Sequence, residues 1–231
     1  MLKFHPSTFF DLSRFRHAQV FSKISCVWEV IPKISGYLST LQLGQIEIEI
    51  PQGVHLVNLE TISIGKGTII EPGAYIKGPC VIGDNCTIRH GAYIRGDVII
   101  GNNCTIGHVS EVKNSIFLDH AQAAHFAYVG DSVLGNGVNL GAGTKCANLK
   151  FDHGPIMIYD GDKRIETGLR KFGVIMGDDS QTGCNAVTNP GTLFGKNACC
   201  YPCVNIGGVI KADSVIKPSK KMIISSLAKK H

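Results

Sequence analysis

The chain has 231 residues and a formal net charge of +5, enough for one large domain with a small extra element and too few for that domain beside a full nucleotide-binding domain. An aromatic content of 7% and dispersed basic residues argue against a nucleic-acid binder, which needs a basic stripe with exposed stacking rings. No apolar run spans a bilayer, and Asp11, Arg14 and Arg16 interrupt the N-terminal hydrophobes as a signal peptide would not allow, so a soluble cytoplasmic protein without membrane partners is expected.

Residues 1–57 carry no long-range period. Trp28, Ile31, Ile34, Leu38 and Leu41 suggest short helical pieces, with Pro32 starting or bending one. The alternation from Ile46 to Ile50 reads as an edge strand. We expect this segment to be a cap over the open end of the domain that follows, because a solenoid must blunt its terminal edges; a partner-docking module is the alternative.

From residue 58 to 218 a six-residue period dominates. A large aliphatic residue recurs at Ile64, Ile70, Ile76, Ile82, Ile88, Ile94, Ile100, Ile106, Val112 and Leu118. Two places before these stand small or β-branched residues such as Thr68, Ala74, Cys80, Cys86, Ala92, Val98, Cys104, Ser110 and Ile116. No α-helix or flat sheet keeps this spacing. It predicts a parallel β-helix, each hexad giving one short strand and one tight turn, with the aliphatic residue on the axis. The pattern slips near His125, through Ala124, Val129, Leu134, Leu140 and Cys146, and resumes at Met176, Thr182, Thr188, Phe194, Cys200 and Ile206.

Between Cys146 and Met176 the period is absent. Ile156–Tyr159, Asp160-Gly161 and Lys163–Ile165 read as a β-hairpin with a primed turn inside an insertion at about 150–172, and such insertions map to binding faces in repeat proteins. The nine cysteines include Cys80, Cys86 and Cys104 at small inward places, where a thiol is a compact hydrophobe and not a bridge or ligand. Cys200 and Cys203 form a C-x-x-C with no second pair of that spacing. The tail at 219–231 is basic, Lys220, Lys221, Lys229 and Lys230 reading either as a solvated end or as a contact for cofactor phosphates.

Six words stand out between Ile94 and Gly173: I-R-G-D (94–97), E-V-K-N-S (111–115), H-F-A-Y-V-G-D-S (125–132), V-N-L-G-A-G-T (138–144), A-N-L (147–149) and R-K-F-G (170–173). Together they resemble the acetyltransferase domain of the enzymes that make N-acetylglucosamine 1-phosphate, and the archaeal-type branch of these hexapeptide-repeat acyltransferases in particular. The resemblance is close over about 120 residues, through Gly195. It implies an all-β, left-handed parallel β-helix, a homotrimer with active sites between neighbouring subunits, and acetyl-CoA as co-substrate with no metal required. Leu149 departs from the tyrosine of common bacterial members, and residues 1–60 hold no glycine-rich nucleotide loop like that of the family's uridylyltransferase domain.

Carried over by these words, His125 matches the catalytic base, since an imidazole titrates near neutrality and can take a proton from an attacking amine. Glu111 matches its orienting partner, and Asn148 a contact near the reacting amine. Arg95 and Lys113, eighteen residues and so one coil apart, suit a sugar phosphate, with Lys171 a further contact. Tyr128 and Asn139 match sugar-binding positions, and Ala142 and Cys184 positions that line acetyl-CoA. Gly141, Ala142 and Gly143 leave backbone N–H groups to polarise a thioester carbonyl.

Two other readings are open. His120 and His125 are five apart, like the close ligand pair of the zinc-dependent γ-class carbonic anhydrases, which share the fold, and His90 and His108 lie one coil apart, although no third histidine stands at that family's separation from the pair. A non-catalytic trimer that binds a sugar phosphate would also fit a chain without a uridylyltransferase domain.

Overall fold

The computed structural model describes residues 2–219, and the basic residues beyond Ser219 lie outside them. Three parallel sheets of eight strands each form the expected left-handed β-helix. The first face runs from His55–Val57 through Tyr75–Lys77, Tyr93–Ile94, Glu111–Lys113, Tyr128–Gly130 and Lys145–Cys146 to Asn205–Ile206. The second runs from Ile62–Ile64 through Val98–Ile100, Ser115–Phe117 and Val133–Leu134 to Val209–Ile210, and the third from Ile69–Ile70 through Thr105–His108, Gln122–His125 and Asn139–Leu140 to Val215–Ile216. Neighbouring coils pair in register, so like stacks on like: Ile64 on Ile82, Ile82 on Ile100, Ile100 on Phe117. The inward residues form one continuous core from Ile62 to Ile206.

The slip lies earlier than the sequence period placed it. Phe117, not Leu118, stands on the axis, and Ser115, not Ile116, takes the small place. Ala123, not Ala124, then pairs with Ile106. Five residues therefore separate Val112 from Phe117, and again Val129 from Leu134. Each shortened hexad falls at the corner between the first and second faces. Gly96 intervenes between Arg95 and Asp97 in the preceding coil, whereas Lys113 leads directly into Asn114 and Gly130 into Asp131. Asp97, Asn114 and Asp131 take φ values of 53°, 43° and 51° at this corner. Short polar side chains tolerate this left-handed conformation because they hydrogen-bond locally.

The N-terminal segment, expected as a cap over residues 1–57, closes the end of the β-helix only with its last residues. Its helical pieces, including Val27–Lys33 and Ile34–Leu38, lie against the outer side of the second face and bury Phe9, Phe10, Trp28, Ile31 and Leu38 with Val81, Ile99, Ile116, Leu118 and Val133. Ile116 and Leu118 thus satisfy a second core, which is why both are apolar and why Leu118 imitates an axial residue. Asp178 anchors the segment: its backbone N–H donates to the Phe9 carbonyl (2.9 Å) and its carboxylate accepts from the Asp11 N–H (2.6 Å). End closure falls to the last part of the same segment, where Ile46, Ile48, Ile50, Val54 and Leu56 pack on the axial core. Ile46 makes an isolated bridge to Ile64, and Leu56 pairs with Ile76 in the first face.

The hairpin pairs Met157–Asp160 with Lys163–Glu166, so its turn is Gly161-Asp162 and not Asp160-Gly161. Gly161, at φ 59°, supplies the positive φ that the first place of such a turn needs. The hairpin packs on the coil: Ile156 and Ile158 are buried in the outer core with Phe172 and Leu193, and Lys3 pairs with Asp160 at 2.6 Å. All nine cysteines are free thiols. Burial pushes those of Cys80 and Cys146 up to about 12, as compact apolar fillers require.

His17 links the N-terminal segment to pH. It is buried, its Nδ1 3.0 Å from the Tyr37 hydroxyl, and burial lowers its pKa to about 4 with a smaller push from Arg16. The folded value lies below the ordinary 6.5, so the unfolded chain binds more protons between the two values. Stability from this group is complete above about pH 6.5 and is lost as pH falls toward 4, by about 3 kcal/mol at most. Urea unfolding of wild type and His17→Gln should show the wild-type advantage shrinking over that window. Parallel pH curves would remove His17 from the account.

Candidate active site

The first face carries the site, with a corner of the coil on either side. On its outer surface Tyr93, Glu111, Tyr128 and Lys145 succeed one another in register, and beside them run Arg95, Lys113 and Gly130. The Arg95 guanidinium meets the Glu111 carboxylate at 2.5 Å and lies over the Tyr93 ring, 5.8 Å from its centre. Its pKa is raised, chiefly by that hydrogen bond.

Next to this pair stands a part-buried polar cluster built around the buried Asp131. Asp131 accepts from Lys113 Nζ (3.1 Å), Asn114 Nδ2 (2.8 Å) and Asn148 Nδ2 (2.5 Å). Asn148 also donates to the Tyr128 hydroxyl at 3.2 Å. Tyr128 is half-buried, and burial raises its pKa. Gly130 makes this contact sterically possible: a Cβ there would fall 2.6 Å from Tyr128 Oη and 2.8 Å from Asn148 Nδ2. The insertion begins and ends at this cluster, because Phe172 N–H donates to the Asn148 carbonyl at 3.0 Å. Lys171, exposed, follows the hairpin just before that closing bond.

His125 ends the strand Gln122–His125 on the third face and is exposed at the corner leading to the first. Its strand runs two residues beyond its axial partner, pairing His125 with His108, and this needs Gly107, whose Cβ would lie 1.6 Å from the Ala124 carbonyl oxygen. Main-chain bonds stack this corner. Phe126 N–H donates to His108 O, Gly143 to His125 O, Asn185 to Ala142 O and Cys203 to Cys184 O, at 2.7–2.9 Å. His125, Ala142 and Cys184 are therefore consecutive steps of one column. Below them the His90 and His108 rings stack at 5.7 Å, each with Nδ1 against a carbonyl oxygen, of Pro72 and His90 respectively.

The structure thus brings together Arg95, Glu111, Lys113, Tyr128 and Asn148 on one side and His125, Ala142 and Cys184 on the other. It departs from expectation in three places. Glu111 is held by Arg95 and makes no bond to the His125 ring, because the two lie on different strands with Phe126 turned through φ 52° between the faces. Asn139 is on the third face, between Gln122 and Gln181, away from Tyr128. The turn at 141–143 is not bare: Gly141 and Gly143 N–H donate to the Thr182 and His125 carbonyls, which leaves the Ala142 N–H as its free donor among the backbone bonds of the described residues.

Asp131, Asn114 and Gly130 were not singled out from sequence. The five-residue spacings that bracket them were the available signal, once the register is taken through Phe117. His120 and His125 fall at different corners of the coil, at opposite ends of the Gln122–His125 strand. Among the described residues, no group of three His, Cys, Asp or Glu side chains is placed to share a metal ion. A recess of about 340 Å³ adjoins the cluster, bounded by Arg95, Lys113, Asn114 and Asp131 and by Ile31 and Pro32 of the N-terminal segment. A larger cavity of about 580 Å³, near Arg16, Tyr37 and Lys66, contains none of the residues of the six words.

The model of the GMPPB C-terminal domain matches residues 76–227, about two-thirds of the chain. The chain belongs to the GMPPB C-terminal domain family. Among curated proteins, it is 40% identical over 101 residues to a bifunctional sugar-1-phosphate nucleotidylyltransferase/acetyltransferase of Sulfurisphaera tokodaii, covering 44% of this chain and 24% of that one. It is 42% identical over 85 residues to the bifunctional protein GlmU of Methanocaldococcus jannaschii, covering 37% and 21%. The chain thus spans about a quarter of the length of these relatives. Among solved structures it is similar to AntD, an N-acyltransferase from Bacillus cereus, with TM-score 0.37, 12% identity and coverage of 80% and 84%. The resemblance carried by the six words is thereby established for this GMPPB C-terminal domain protein, and no helix among its described residues is long and apolar enough to cross a membrane.

Proposed function

We propose that this protein is an acetyl-CoA-dependent N-acetyltransferase acting on an amino-sugar 1-phosphate such as glucosamine 1-phosphate. The observation that carries the reading is the pairing, around one face, of an exposed histidine column at one corner with a cationic and amide-lined cluster at the other. Arg95 and Lys113 take the acceptor's phosphate, Tyr128 and Asn148 its hydroxyls and amine, and Lys171 adds a cation at the mouth. His125 accepts the amine proton as nitrogen bonds to the thioester carbon and the carbon–sulfur bond breaks, the Ala142 N–H facing the oxygen. Ala142 and Cys184 continue the column along which acetyl-CoA lies. The chain acts as a homotrimer, so that the third face of one subunit, with Asn139, completes the site of its neighbour, and no metal takes part.

Arg95 and Lys113 are each paired with a carboxylate in the free protein, so the site has little net charge before Lys171 is counted. Phosphate must displace Glu111 from Arg95. That pair is exposed, at 42% and 34%, and such pairs contribute about 0–1 kcal/mol, which a phosphate contact outweighs. A sugar-phosphate-binding trimer without turnover is the second reading, favoured by the engagement of Glu111 by Arg95 and not by His125.

Thiol release from acetyl-CoA, measured against a panel of hexosamine 1-phosphates, separates the two. Arg95→Ala is the informative variant: the acceptor's kcat/KM should fall about ten- to a hundredfold with the KM for acetyl-CoA unchanged. Lys113→Ala is less clean, since it strands the Asp131 carboxylate, 4% exposed, without its cation. Equal losses for donor and acceptor would remove Arg95 from the phosphate site, and no thiol release with any hexosamine phosphate would leave the binding-only reading.

A further inference from the structure

We propose that Asp131 is the positioning residue of this site, acting through Asn148 to turn that amide's oxygen toward the acceptor amine; this rests on the acetyltransferase reading. Asp131 is 3% exposed and its main chain is pinned on both sides, its N–H donating to the Lys113 carbonyl (3.1 Å) and its carbonyl accepting from Gly173 (2.8 Å). The carboxylate is held by the coil before it, through Lys113 and Asn114, and holds the start of the insertion, through Asn148. A buried ion pair adds little stability over apolar packing of the same volume. Its place among the residues of the motifs therefore points to the site's geometry.

The chemistry lies in the amide. Asn148 Nδ2 has two protons, and its two contacts, Asp131 Oδ2 and Tyr128 Oη, use both. Its Oδ1 is left as an acceptor with no donor among the described residues. A carboxylate can only accept, so it selects this orientation of the amide; an asparagine at 131 offers donors as well and selects neither. An acceptor amine placed there donates one N–H to Asn148 Oδ1, which aims the nitrogen lone pair at the thioester carbon. Its other proton passes to His125 as the C–N bond forms and then to the departing thiolate.

The test is Asp131→Asn, alone and combined with Asn148→Ala. Alone it should lower kcat about ten- to a hundredfold with the KM for acetyl-CoA and the circular dichroism spectrum unchanged. Combined with Asn148→Ala it should add less than about threefold, because its route of action is gone. Effects that multiply would overturn the proposal. A second readout does not need turnover: in protein labelled with ¹⁵N-asparagine, both Asn148 Nδ2 protons should exchange slowly in wild type and faster in Asp131→Asn. Fast exchange of either proton in wild type overturns the positioning role even if the variant does not fold. Slow exchange together with a wild type inactive on every hexosamine phosphate would overturn the acetyltransferase reading and leave the Asp131–Asn148 arrangement standing.

Discussion

Replacing His125 by alanine should lower turnover by about 10²- to 10⁴-fold and leave the β-helix folded, the loss expected when the proposed general base is removed. The fold should tolerate the change because the side chain is exposed at the end of its strand and makes no hydrogen bond among the described residues; its backbone carbonyl, which accepts from Gly143, is kept by alanine. Surface substitutions of this kind stay within about 0.5 kcal/mol. Residual turnover should rise with pH as more of the acceptor amine is free. The measurement is initial rate against pH for wild type and variant with glucosamine 1-phosphate, next to their thermal unfolding. A variant acetylating at near wild-type rate would take the base away from His125. Stoichiometric zinc in untagged wild-type protein inactive on all hexosamine phosphates would favour the carbonic-anhydrase-like reading instead.

Phe117→Ala should destabilise the protein by about 3–5 kcal/mol, the range for a fully buried aromatic residue replaced in a core. Phe117 has no exposed surface and lies on the axis between Ile100 and Leu134, at the first of the two shortened coils. Aliphatic neighbours above and below cannot close the space, since their backbones are tied by the parallel ladder. A repeat structure transmits such damage to adjacent coils first. The strand carrying His125 and the cluster at Asp131 are in those coils, so activity should fall at temperatures where the ends of the solenoid are still folded. Chemical unfolding gives the stability change, and hydrogen exchange its position. A loss below about 1 kcal/mol would mean that Phe117 does not fill the axis as described.

The two shortened coils also show how far the sequence could be read. Six-fold spacing of Ile, Val and Leu, with Ala, Cys and Ser two places earlier, is a local pattern, so it identifies the β-helix and most axial residues from Ile64 to Val112 and from Met176 onward. It fails where Leu118 and Phe117 are both apolar. One packs on the N-terminal segment and the other on the axis, and a one-dimensional pattern cannot separate two cores on opposite sides of one strand. The same ambiguity hid the N-terminal segment's place: its buried Phe9, Phe10 and Trp28 need an apolar partner, but nothing local states whether that is the end of the solenoid or its second face.

The site divides in the same way. The words around His125, Arg95, Glu111, Lys113, Tyr128 and Asn148 named these residues, and the eighteen-residue separation of Arg95 and Lys113 set them on neighbouring coils. Asp131 was hidden because its partners Lys113, Asn114 and Asn148 are 17 or 18 residues away and converge only when two corners each lose a residue. The engagement of Glu111 by Arg95, the free Ala142 N–H and the burial of the hairpin's Ile156 and Ile158 were likewise decided by tertiary packing. The sequence by itself determined the coil, its strand order and the chemical types at the site, since each follows from side chains repeated at fixed spacing. Which of those groups bond to one another was left to the tertiary structure, because a hydrogen bond depends on distances across coils that no local spacing specifies.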